Sequence, residues 1–115
     1  MGVPPVLFLA CLLAGAPPLL ATPIYSIIDL GDLPGGVDYS KAYGLNDALQ
    51  VIGVSGAATG DRAFLWTMNG GMEDIGDLPG GNDWSQANGI NSLGHVVGWS
   101  NACTGYRAFR WTRGV

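Results

Sequence analysis

Six aspartates have the spacing most suggestive of chemistry: Asp29, Asp32 and Asp38, and again Asp74, Asp77 and Asp83, each trio set around a GDLPGG stretch. Three carboxylates about a Gly-rich turn offer the oxygen ligands that calcium takes. A calcium-dependent binding protein, or a hydrolase subunit using these Asp-rich connectors, is therefore the alternative function these residues raise. The competing reading is that each Asp caps backbone N–H groups of its own turn, and the spacing follows no known calcium loop. Apart from calcium, no cofactor is expected.

Other reactive residues are sparse. His95 is the single histidine and stands beside an expected hairpin turn, where the matching earlier position is Gln50. Cys103 is matched by Ala58, and Ser40 and Ser85 have no His/Asp partners from which a nucleophilic triad can be assembled. One histidine with one such cysteine also falls short of a zinc ligand set. No catalytic residues are assigned, and an enzyme is not expected. The GDLPGG stretch lacks the Lys-Ser/Thr ending of a phosphate loop, and no helical pattern follows it to hold an anion. It reads as a connector, with Pro fixing φ and the two glycines allowing the turn.

The elements that carry these residues follow from an internal repeat. Sliding the chain by 45 residues superimposes 29–70 on 74–115 without a gap, with 23 of the 42 positions identical. Identity falls on every second residue at Asp38/Asp83, Ser40/Ser85, Ala42/Ala87, Gly44/Gly89 and Asn46/Asn91, and again at Val51/Val96, Gly53/Gly98, Ser55/Ser100 and Ala57/Ala102. Period two is that of a β-strand. The retained face is small, which predicts that neighbouring sheets press these faces close together. A third strand is expected over 62–67 and 107–112, its Arg, Phe and Trp retained on one side. Leu65 opposite Arg110 predicts that the other side is wet. An Asn69-Gly70 type I′ hairpin leads to a fourth strand at 72–75, and residues 25–30, which match it, predict a leading strand.

Composition sets the outer limits. Of the 115 residues, 48% are hydrophobic and only 12% charged, which excludes a disordered chain. The net charge of −4 works against binding a phosphate backbone, so nucleic acid is not an expected partner. Residues 3–24 carry no charge, and the apolar run at 6–16 is broken by Pro17 and Pro18 before it can span a bilayer. It reads as a secretory signal peptide over 1–21, cleaved before Thr22. Export would leave Cys103 without Cys11, so no intrachain disulfide is available.

The motifs 42–46 (AYGLN), 51–55 (VIGVS), 62–67 (RAFLWT) and 70–76 (GGMEDIG) resemble the probable extracellular repeat, HAF family. The resemblance covers both copies and implies an exported bacterial protein of tandem β-rich repeats, secreted or on the cell surface, with no activity assigned to the repeat. The histidine of the family's His-Ala-Phe is Arg62 and Arg107 here, and a turn glycine present as Gly94 is Leu49 in the first copy. The expected architecture is all-β: two tandem four-stranded antiparallel repeats like β-propeller blades, with the leading strand and first repeat over 22–73 and the second, incomplete repeat over 74–115. Two blades cannot close a ring of about four to eight, so a fragment of a longer array, or self-association, is expected. The expected function is a non-catalytic module for extracellular interaction or scaffolding, with a protein or carbohydrate partner. Tyr39, Trp84 and Tyr106, which sit at positions that change between copies, are the expected surface contacts.

Overall fold

The computed structural model describes residues 24–114; the expected signal peptide lies outside the described residues. It is all-β, with seven strands in two antiparallel sheets and no helix among the described residues. The first sheet has the order β1-β2-β3-β4, from β1 (Ser40–Leu45), β2 (Val51–Ala57), β3 (Gly60–Thr67) and β4 (Gly71–Asp74). The second has the order β5-β6-β7, from β5 (Ser85–Ile90), β6 (Val96–Ala102) and β7 (Gly105–Trp111). Pairing in the second sheet is that of the first displaced by 45 residues: Ser40↔Ser55 recurs as Ser85↔Ser100, and Gly53↔Phe64 as Gly98↔Phe109.

Both β1 and β5 carry a bulge, at Tyr43 and Asn88, between the pairs Ala42↔Gly53 and Gly44↔Ile52 and between their counterparts. An extra residue reverses the phase of a strand. Gly44 therefore lies on the face of Ile52, across from Ile90 of the second sheet, and not with Ala42 as unbroken alternation predicts. The bulge also explains Gly53 and Gly98. A Cβ at either would run into the carbonyl oxygen of Lys41 or Gln86 on the neighbouring strand of the same sheet, so these glycines serve the bulge and not the approach of another layer.

The sheets pack face to face through unlike sides. Ile52, Ala63 and Leu65, from the side of the first sheet on which Ile52 and Leu65 change between copies, meet the retained Ala87 and Val96 of the second, with Ile75, Ile90, Phe109 and Trp111 packed against them. The expectation that two small-residue faces press together is thus corrected: one small face receives one apolar face. The side of β3 expected to be wet is dry at Leu65, which is buried in this joint, while Arg110 is exposed on the outer face of the second sheet.

Two local expectations also change. Between β3 and β4, neither Asn69 nor Gly70 has positive φ; Gly71, the first residue of β4, does, at 74°, so the three-residue loop at 68–70 is followed by a left-handed glycine and is not a type I′ turn. Residues 25–30 form no strand. Their counterpart β4 is a strand because β3 precedes and pairs with it, and a strand exists only beside a partner. Ile27, here 98% exposed, has none.

Candidate functional site

The GDLPGG connectors dock on the sheets by backbone. Leu33 N donates to Ser55 Oγ at 2.8 Å, and Leu78 N to Ser100 Oγ at 2.9 Å. Gly36 and Gly81 lie so close to the backbone of Ala57 and Ala102 that a Cβ would collide with it. Asp29 and Asp74 each accept from the N–H two residues on, Gly31 at 2.9 Å and Gly76 at 2.7 Å, the local turn bond that such residues form.

Between the sheets, the connector is held by polar contacts. Ser85 Oγ, fully buried, accepts from Ala63 N at 2.9 Å and donates to the carbonyl oxygen of Gly76 at 2.7 Å. Asn46 Nδ2 donates to the carbonyl oxygen of Asn91 at 2.9 Å, and Arg113 pairs with Glu73 at 2.6 Å. Arg62 reaches three of the six predicted aspartates: Asp74 at 3.3 Å, Asp77 at 3.8 Å and Asp83 at 3.9 Å. Its guanidinium, largely covered, supplies the positive charge around which this trio gathers. Asp29, Asp32 and Asp38 form no ion pair among the described residues. Among the described residues no group of three or more His, Cys, Asp or Glu is placed to hold a metal ion.

The counterpart of Arg62 shows what is missing at the other end. Arg107 keeps the bond to the threonine three residues before it, Thr104 Oγ1 at 2.7 Å, as Arg62 keeps Thr59 at 3.2 Å, yet it is exposed and has no carboxylate partner among the described residues. Sequence reasoning assigned neither arginine a role. The signal was there: Arg62/Arg107 is the one basic position retained between copies, since Lys41, Arg110 and Arg113 stand opposite Gln86, Leu65 and Met68.

The outer face of the second sheet carries an aromatic cluster. Trp84 and Trp99 lie 4.6 Å apart by ring centroids, and Tyr106 packs edge-on to both at 6.1 and 5.0 Å, the tilted geometry that ring quadrupoles favour. Two of the three expected contact residues, Trp84 and Tyr106, are therefore brought together. Trp99, which completes the cluster, was not among the expected contacts. The third, Tyr39, lies on the first sheet; burial, then the charge of Asp61, raises its phenol above the usual 10.0. Trp99 is 38% exposed where its counterpart Val54 is 2% exposed, because the first sheet's face is covered by the second and the second's is open.

Two clefts share Arg110 and Trp111 of β7. One, of about 490 Å³, lies between Leu65, His95 and Trp111; the other, of about 120 Å³, lies between Ile75, Leu78 and Trp111. His95 is half-buried here and not the exposed turn residue expected, and no serine, cysteine or carboxylate lines its cleft. Compared with known protein families, curated proteins and solved structures, the chain matches none.

Proposed function

We propose that this chain is an exported, non-catalytic interaction and scaffolding module of tandem β-repeats, of the kind its motifs resemble in the HAF family. Its outer surfaces present partners with a rigid, part-aromatic sheet. The observation that carries this reading is the open face of the second sheet, where Trp84, Trp99 and Tyr106 stand together in a position the joint covers in the first sheet. Clustered, half-exposed aromatic side chains of this kind mark surfaces that meet another molecule. Asp29 and Asp74 are bound in their own turns and Asp74, Asp77 and Asp83 gather around Arg62, and no serine, cysteine or carboxylate lines the cleft of the single histidine, which supports binding over catalysis.

The test has two parts. N-terminal sequencing of the chain recovered outside the producing cell should begin at Thr22. The immobilised chain should retain cell-surface polysaccharide or protein, and the double variant Trp84→Ala, Trp99→Ala should lose that retention while keeping its circular dichroism. A chain held inside the cell, or a double variant that retains partners as well as the native chain does, would refute the proposal.

A further inference from the structure

We infer that the partner of the open end is a second copy of this chain, added head to tail, with residues 25–30 of one copy completing the second sheet of the copy before it. This rests on the interaction reading above and names its partner.

The template is the joint inside the chain. There β4 pairs antiparallel with β3 through Phe64↔Asp74, Leu65↔Glu73, Trp66↔Met72 and Thr67↔Gly71, and Ile75 N donates to the carbonyl oxygen of Ala63 at 3.1 Å. Displaced by 45 residues, the same ladder sets Phe109 against Asp29, Arg110 against Ile28, Trp111 against Ile27 and Thr112 against Ser26, with Leu30 N donating to the oxygen of Ala108. Every group in this second ladder is present and unused. The outer edge of β7 pairs with no strand, and residues 25–30 carry exposed apolar side chains and no strand partner. Both clefts include Arg110 and Trp111 of β7.

The polar contacts recur in the same way. Ser85 receives Ala63 N in the joint; its counterpart Ser40 is exposed, already donates to the oxygen of Gly31 at 2.7 Å, and has its acceptor side free for Ala108 N of the preceding copy. Among the described residues, exposed Arg107 has no carboxylate partner and Asp29, Asp32 and Asp38 have no cation, so one copy offers the charge the other needs. The faces are complementary too. Val97 is 49% exposed where its counterpart Ile52 is fully buried, and Ala42 is exposed where Ala87 is fully buried, so the side left open on each sheet is the side used by the other. Arg110 in place of Leu65 and Trp99 in place of Val54 make the second joint less apolar, and association between separate copies depends on concentration. Because it joins unlike surfaces it repeats, closing into a ring if the rotation permits and growing into a filament if not.

Sedimentation equilibrium of the full chain should give a mass that rises with concentration in multiples of one chain. Ile28→Pro removes a ladder N–H from an exposed segment, and Arg107→Glu reverses the charge left without a carboxylate; each should weaken association about tenfold or more, with circular dichroism and dilute-solution melting unchanged. Ile28→Pro added below stoichiometry should shorten native assemblies, because it accepts a strand but cannot donate one. A native chain that stays monomeric throughout, or an Ile28→Pro chain that assembles as the native one does, overturns the inference. A monomer that still retains partners through Trp84 and Trp99 would overturn it while leaving the interaction reading intact; loss of both would remove both.

Discussion

Ser85→Ala is the substitution that weighs the joint most directly. The hydroxyl is fully buried and serves both sheets, accepting from Ala63 N at 2.9 Å and donating to the Gly76 oxygen at 2.7 Å. Alanine leaves a buried N–H of the fully buried Ala63 with no acceptor, which costs about 1–3 kcal/mol. The Gly76 carbonyl loses one partner as well, but an acceptor with two lone pairs tolerates this better. Together they amount to roughly 3 kcal/mol, a large share of the 5–15 kcal/mol typical of a small domain. Ser40→Ala is the matched control, because the same hydroxyl in the first unit is exposed and makes one bond, to Gly31; a surface change of this kind shifts stability by about 0.5 kcal/mol or less. In dilute urea titrations with m of about 1–2 kcal/mol/M, Ser85→Ala should lower the midpoint by about 1.5–3 M, and Ser40→Ala should barely move it. Equal midpoints for the two variants would show that the serine does not bridge the sheets, and the reasoning about the joint would fail with it.

Three further outcomes follow from particular residues. Leu49 holds a left-handed φ of 61° at a position 54% exposed, where the second copy has Gly94 at 84°; Leu49→Gly should relieve a strain of about 1–2 kcal/mol, less about 0.5–1 kcal/mol of added chain entropy, and raise the melting temperature. Arg62→Gln should leave Asp74, Asp77 and Asp83 facing one another, lowering stability by about 1–2 kcal/mol, most at low salt; a loss that salt leaves unchanged would contradict the convergence. The Tyr39 phenol is raised above 10.0, so the folded chain keeps this proton longer than the unfolded one; the associated stability is complete below about pH 10 and declines as pH rises through the folded value. Tyr39→Phe should flatten that alkaline decline, as read by melting temperature against pH.

The hairpins were legible because a strand's period and a turn's residues are local matters. The bulge was not. Tyr43 and Asn88 are an extra residue each, and an identity pattern that runs through them keeps its spacing while the side chains change sides. Gly44 and Gly89 are retained like Ala42 and Ala87 but lie on the opposite face, a distinction that spacing does not carry. The leading strand was misread for a related reason. Residues 25–30 share their pattern with β4, but strand formation needs the pairing that β3 provides. Of the site, the aspartate trios were visible and their arginine was overlooked, although its retention beside retained acids in both copies was the available signal.

Comparing two copies within one chain reveals what the copies share, and the joint is where they cannot be alike. Each sheet has a receiving side of small residues and an inserting side whose residues vary, and in this chain one of each is used. The variable residues are free to differ because their surroundings differ: Leu65 faces a buried joint and Arg110 faces water, Val54 is covered and Trp99 is open. What reads as drift between repeats therefore records position in the stack. On the same logic, Ser40 and Arg107 keep their bonds to Gly31 and Thr104 within their own units, while the further contacts of their counterparts, Ser85 with Ala63 and Arg62 with the aspartates, are made only in the joint.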